Sequence, residues 1–287
     1  MKVPELPEVE ITARLLSDAL AGATVESALA PGINTLKTFA PPLDSLTGRR
    51  LTAVRRIGKH LVVDFEDDLH LLIHLMSAGR LQLFDKRGSL KDRASRLLVR
   101  VDGDRELRLR EFGTRQAAWA KLLEGEAALL EDDAIATLGP EAWPDPPADM
   151  AALLKPHGAR PLQAVLRDQR VIAGIGRSWV DEILWVARLS PFKRGNDLSP
   201  EEATVLRNAI VDRLGAAIEH YEQVVKLPIP DKLPLPLQVH RHEGQPCPRC
   251  GTTLEAIHYE SQVLAYCPKE QTGGQVLKDR RLSRLLK

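Results

Sequence analysis

What most limits the fold of this chain is a change of hydrophobic period on either side of one acidic stretch. Residues 122–149 hold eight carboxylates and no lysine or arginine, and Pro144, Pro146 and Pro147 stop regular structure there. Before that stretch, apolar residues fall in short runs separated by Gly or Asp. Residues 54–65 read as strand, turn, strand, and 71–83, 97–101 and 107–109 continue the pattern. One helix precedes them at 8–20, with Pro7 near its first turn, Glu8 and Glu10 at the positive end of its dipole, and Ile11, Leu15 and Leu16 on one face. Beyond the acidic stretch, helical spacing takes over in 150–167, 178–188 and 200–225, the last capped by Ser199-Pro200-Glu201-Glu202. Short strands at this spacing predict a sandwich or a barrel, of which the sandwich is the expected form, so the expected class is a multidomain α+β protein. Its segments are a β-sandwich domain with flanking helices at 1–121, an acidic proline-rich linker at 122–149 and a helical domain at 150–226. A second linker at 227–238 then leads to a cysteine-bearing module with a basic tail at 239–287.

Charge is misleading when summed over the whole chain. The formal net charge of +1 points to a small-molecule enzyme, because proteins that hold a phosphate backbone usually carry a basic excess. The acidic stretch alone contributes −8, so the rest of the chain carries +9. No segment has the apolar length of a membrane span, and the N-terminus, Met1-Lys2-Val3-Pro4-Glu5, does not read as a secretory signal. A cytoplasmic monomer with no membrane partner is expected. Three cysteines cannot form a complete disulfide framework.

Two of those cysteines form Cys247-x-x-Cys250, and after sixteen residues comes Cys267-x-x-Glu270. Two such knuckles joined by a hairpin place four ligands around a tetrahedral zinc ion, with Glu270 in the fourth position. Another residue or water completing the site, or a metal-free hairpin, fits the same spacing; His240 and His242 both precede the first knuckle. Gly174-Ile175-Gly176-Arg177 between two helical segments reads as an anion-binding turn, with backbone N–H groups aimed at the ligand and Arg177 adding charge, or as a tight structural turn. The tail carries Lys278, Arg280, Arg281, Arg284 and Lys287 on what reads as a solvated helix with a leucine face.

Pro4-Glu5-Leu6-Pro7-Glu8-Val9-Glu10 resembles the opening signature of the formamidopyrimidine-DNA glycosylase and endonuclease VIII family. Further landmarks follow in the same order: the lysine turn at Gly58-Lys59, the His74-Leu75-Met76-Ser77-Ala78-Gly79 segment, and Arg110-Glu111-Phe112-Gly113. Asp168 to Gly176 is similar to the family's helix-two-turn-helix turn, and the cysteine hairpin to its zinc finger. The resemblance implies a base excision repair enzyme for damaged double-stranded DNA, a glycosylase with abasic-site lyase activity, with DNA in the cleft between the two main domains. The target nucleotide is rotated out of the duplex, since its sugar carbon is inaccessible while the base is stacked. The match makes Pro4 the nucleophile, Glu5 the acid/base and Lys59 a phosphate or catalytic contact. His74, Gly174, Gly176 and Arg177 become DNA contacts, and Arg110 with the wedge Phe112 fills the gap in the stack. Cys247, Cys250, Cys267 and Glu270 would hold a structural Zn2+.

The chain also departs from the family pattern. A proline nitrogen inside a peptide bond has no basic lone pair, so the chemistry needs Pro4 freed of Met1-Lys2-Val3. A translation start at position 3, where a GTG codon reads as valine internally, would achieve this, and intact-mass measurement tests it. With a true extension, the competing reading is a paralogue that binds damaged or abasic DNA without chemistry. Arg177 stands in place of an asparagine, Gln163 of a lysine and Gln262 of the finger arginine. Residues 227–237 are shorter than the loop that covers 8-oxoguanine, so ring-opened purines and oxidised pyrimidines are the expected targets.

Overall fold

The computed structural model describes residues 3–113, 116–259 and 262–277. The basic tail from Lys278, and Met1-Lys2, lie outside the described residues. The chain divides into two compact units. The first comprises Met1–Thr137 with Ile218–Pro234, and the second Leu138–Ala217 with Leu235–Lys287.

In the first unit, helix α1 (Leu6–Leu20) is followed by strands β1 (Val25–Leu29), β2 (Leu51–Ile57), β3 (His60–Phe65) and β4 (Leu69–His74). Then come β5 (Gly79–Phe84), β6 (Ser95–Val101), β7 (Glu106–Glu111) and β8 (Trp119–Glu124), and the short helices α2 (Glu126–Glu131) and α3 (Asp133–Ala136). The strands make two four-stranded sheets, ordered β1-β6-β7-β5 and β2-β3-β4-β8, with every strand pair antiparallel. Alternation builds the core between them. Leu97, Val99, Leu107 and Leu109 of one sheet and Leu61, Val63, Leu71 and Ile73 of the other are fully buried in a single cluster, which Leu16 and Leu20 of α1 join. Truncating any of these leucines to alanine costs about 2–5 kcal/mol.

The second unit holds α4 (Met150–Leu154), α5 (Leu162–Val165), α6 (Arg177–Val186), most of α7 (Pro200–Val224), the hairpin β9 (Glu255–Tyr259) and β10 (Gln262–Tyr266), and α8 (Pro268–Thr272). The β-sandwich, the helical region and the terminal hairpin match the expected α+β class.

Three details differ from the expected organisation. The stretch 122–149 is not a bare linker: β8 runs through Leu122 to Glu124 as the edge of the second sheet, and Leu129 of α2 and Ile135 of α3 are buried. The segment 150–167 is not one helix, because Pro156 and Pro161 cannot donate to the ladder and split it into α4, a 3-10 turn at Lys155–His157, and α5. The 227–238 linker is divided too, since residues up to Pro234 pack with the first unit. Gln82 Nε2 donates to the Ile229 carbonyl, and Arg80 Nε donates to that of Asp231 at 3.1 Å.

Candidate active site and cysteine cluster

Pro4 and Glu5 are buried at the head of α1. Glu5 is the N-cap residue, and its backbone N–H donates to Glu8 Oε2 at 2.8 Å in a capping box. The other Glu8 oxygen accepts from the buried Tyr221 hydroxyl at 2.7 Å. Burial, with the neighbouring Glu5 charge adding to it, raises the Glu8 carboxyl to about 7, so it gains or loses its proton near neutral pH. Arg56, buried beside α1, donates to Glu10 Oε2 at 2.8 Å and to the Gly58 carbonyl at 3.1 Å. It thereby ties the helix to the two-residue turn that carries Lys59. Gly58 adopts φ +58°, which this tight hairpin requires.

The register of the second sheet assembles a row of rings that no contiguous motif displays. His60 lies opposite His74, and His74 opposite Trp119. The His60 and His74 rings meet edge to face at 4.6 Å, and His74 stacks on Trp119 at 5.7 Å. Burial lowers His74 to about 3, with His60 and Lys59 adding repulsion, and lowers His60 to about 4; both are neutral at physiological pH. His74 Nδ1 accepts the Met76 N–H at 2.9 Å, which leaves the proton on Nε2 as a donor. A neutral N–H and the nearby Lys59 ammonium suit phosphate oxygens.

Arg110 ends β7 with its guanidinium over the Phe112 ring, 4.7 Å from the centroid. It also faces Asp92 at 3.4 Å, Gln82 Oε1 at 3.4 Å and Asp231 at 3.9 Å. Phe112 is half-buried, so it is not an ordinary core aromatic. Between them, buried Glu111 accepts the N–H groups of Ala117 at 2.6 Å and Ala118 at 3.0 Å on its Oε1.

In the second unit, Gly176 is the N-cap of α6 and Gly174 takes φ +106°, a conformation that side chains rarely adopt. Gln169 braces the turn: its Oε1 accepts the Gly174 N–H at 2.9 Å and its Nε2 donates to the Ile175 carbonyl at 2.8 Å. Arg177 is exposed at the start of the helix. The sulfur atoms of Cys247, Cys250 and Cys267 all lie within 4.8 Å of one another, and the Trp185 indole N–H points at Cys247 Sγ from 3.4 Å. Thiolates about 2.3 Å from a zinc ion sit at such mutual separations, so the three cysteines fit that metal.

Glu270 is placed elsewhere. Its Oε2 lies 3.1 Å from both Arg188 Nε and Arg249 Nη2, and among the described residues the cluster of metal-competent side chains is the three cysteines alone. The two guanidinium groups hold the carboxylate by charge without hydrogen-bond geometry, since buried Glu270 Oε2 accepts no hydrogen bond among the described residues. His240 is likewise turned away, with its Nδ1 2.7 Å from Asp181 Oδ2.

The profile for the formamidopyrimidine-DNA glycosylase N-terminal domain matches residues 3–116, and that for the helix-two-turn-helix (H2TH) domain of the same enzymes matches residues 127–228. The formamidopyrimidine-DNA glycosylase of Latilactobacillus sakei is 32% identical over 282 residues, covering 94% of this chain and 98% of that protein. The chain belongs to the formamidopyrimidine-DNA glycosylase family. The Chloroflexus aurantiacus enzyme of that name is 32% identical over 95% of this chain and 99% of its own. An uncharacterized formamidopyrimidine-DNA glycosylase-like protein of Mycobacterium tuberculosis is 40% identical over 52% of this chain and 94% of its own. Among solved structures, Lactococcus lactis Fpg in complex with DNA containing N7-benzyl-Fapy-dG superposes with a TM-score of 0.82 at 25% identity, covering 94% of this chain and 100% of that one.

Within this family frame, the first unit carries Pro4, Glu5, Lys59, His74, Arg110 and Phe112, and the second carries Gly174, Gly176, Arg177 and the cysteines. Sequence reading missed the supports: Arg56, His60, Trp119, Glu111 and Gln169. It also missed Glu182 on α6, fully buried, which accepts the N–H groups of Gln238, Val239 and His240 at 2.8–3.0 Å and is held by Arg213 at 3.0 Å. The one available signal was a pair of acids, Asp181 and Glu182, inside the otherwise apolar run from Trp179 to Val186.

Proposed function

We propose that this protein is a base excision repair DNA glycosylase with abasic-site lyase activity, acting on oxidised or ring-opened bases and on abasic sites in double-stranded DNA. The observation that carries the reading is the buried Pro4-Glu5 pair at the head of α1, within a family match that runs from residue 3 to 228. The complexes of Lactococcus lactis Fpg with Fapy-type DNA support the substrate class.

In this reading the Pro4 nitrogen, as a free secondary amine, attacks C1′ of an extruded nucleotide. The bond from C1′ to the base breaks and the base leaves with the electron pair, protonated as it departs. Glu5 delivers a proton to the ring oxygen as the sugar opens, leaving an iminium between Pro4 and C1′. Loss of a C2′ proton then expels the 3′ phosphate. Lys59 and the Nε2–H of His74 hold phosphate oxygens, Phe112 and Arg110 occupy the vacated stack, and the Gly174 to Arg177 turn grips the backbone at the start of α6. Cys247, Cys250 and Cys267 would hold a structural zinc ion, which would brace the terminal hairpin.

Borohydride trapping on abasic-site DNA, with chains beginning at Met1 and at Pro4, tests the mechanism. A covalent adduct is expected from the chain beginning at Pro4 and not from the longer one, whose proline nitrogen is an amide. Equal adducts from both would make another amine the nucleophile. DNA binding with no adduct from either would make the protein a damage-binding paralogue.

A further inference from the structure

We propose that Tyr221 is a positioning residue for the reaction at Pro4, acting through Glu8; this rests on the reading of Pro4 and Glu5 as the reacting pair. Tyr221 lies near the end of α7, in the segment that packs with the first unit, and is fully buried. Its hydroxyl donates to Glu8 Oε1 at 2.7 Å, and Glu8 Oε2 accepts the Glu5 N–H at 2.8 Å. That N–H belongs to the peptide joining Pro4 to Glu5. Holding it restrains the plane of this peptide, and with it the two Cα atoms that carry the Pro4 ring nitrogen and the Glu5 side chain. A phenylalanine would fill the same space without the hydroxyl, so the hydroxyl's contribution is the bond that holds the carboxyl in one rotamer.

Among the described residues, the charged and polar groups facing Glu8 include Glu5 at the head of α1, Tyr221 of α7 and Arg80 of β5, the last anchored by the Asp231 carbonyl. The tyrosine bond favours the ionised carboxylate. Its removal therefore moves the protonation of Glu8 to higher pH and frees the Pro4-Glu5 peptide to tilt.

The experiment is single-turnover nicking of abasic DNA across pH by the chain beginning at Pro4, as wild type, Tyr221→Phe, Glu8→Gln and the double variant. Tyr221→Phe is expected to lower the rate roughly tenfold, as misplaced reacting groups do, with DNA affinity within about twofold of wild type. Its pH–rate profile should also shift to higher pH. In the Glu8→Gln background the tyrosine substitution should cost nothing further, because its route of action is gone. A Tyr221→Phe variant with wild-type rate and pH profile overturns the proposal, as does an equal loss in the presence and absence of Glu8. A wild-type chain that forms no adduct and nicks nothing overturns the assigned function, and the positioning role with it.

Discussion

The two units each bury acids on a helix, and Glu182 of α6 and Glu8 of α1 are given opposite surroundings. On α6, Glu182 is surrounded by donors: three consecutive backbone N–H groups from residues 238–240 and the Arg213 guanidinium. Its neighbour Asp181 accepts from Ala265 N–H at 2.9 Å and faces His240. Both acids bind the segment leading into the cysteine hairpin to the helical part of the same unit. On α1, Glu8 receives a tyrosine hydroxyl and one amide while sitting beside a second carboxylate, and its proton affinity rises accordingly. A buried carboxylate given a cation and several amides serves as an anchor. One given neutral donors and a like charge exchanges its proton near neutral pH.

The sharpest way to break this contrast is to remove the anchor. Glu182→Ala leaves Arg213 and three amides without their shared acceptor, and truncating one partner of a buried ion pair costs about 3–5 kcal/mol. Urea denaturation should show a loss of this size; a loss under about 1 kcal/mol would mean that water or another group replaces the carboxylate without penalty.

Next in size is the pH dependence built into α1. Glu8 holds its proton up to about 7 in the folded protein against 4.5 in the unfolded chain, so the native state binds more protons between those values. The contribution of Glu8 is fully present below pH 4.5, falls as pH rises and is gone above about 7. At roughly 1.4 kcal/mol per unit, the fall amounts to about 3 kcal/mol. The excess of the wild-type urea midpoint over that of Glu8→Gln should decline from pH 4.5 to 7.5, while His60 and His74, lowered by burial to about 4 and 3, add stability to both proteins as pH rises to about 6.5. Asp181, raised by burial to about 6, contributes with the same sign over a lower window, so Asp181→Asn must be measured alongside. Identical slopes for wild type and Glu8→Gln would show that the carboxyl is ionised in the fold and would remove the contrast between the two helices.

The same contrast separates what was legible in the sequence from what was not. The strands could be read because apolar runs such as Leu97 to Val101 and Leu107 to Leu109 are contiguous, and the proposed site residues could be placed because Pro4-Glu5 and Arg110-Glu111-Phe112 are short unbroken motifs. The ring row could not, since His60, His74 and Trp119 become neighbours only through the register of three strands. Tyr221 and Glu8 are 213 positions apart, and the amides that satisfy Glu182 lie 56–58 positions away. Helical spacing outweighed Pro156 and Pro161 in the reading of 150–167, where the missing donors decide the structure. Strands β1 and β8 were overlooked, β8 because it runs into the acidic stretch that reads as a linker from residue 122.

The smallest expected effect concerns Glu270, where spacing and geometry disagree. Spacing makes it the fourth zinc ligand, whereas the fold gives its carboxylate to Arg188 and Arg249. Arg188 is largely exposed, so its share of this pairing is screened and worth little; the half-buried Arg249, stacked 4.2 Å from the Trp185 ring centroid, is the better-held partner. If the metal is held by the three thiolates, Glu270→Ala leaves bound zinc at the wild-type stoichiometry, while Cys267→Ala abolishes it, both measured by elemental analysis of purified protein. Cobalt substitution sharpens the test, since the visible spectrum reports the ligand set: it should be unchanged in Glu270→Ala and altered in Glu270→Cys, which offers a fourth sulfur. A spectrum that changes on Glu270→Ala, or zinc lost with it, would place the carboxylate on the metal and return the arginine pair to a secondary role.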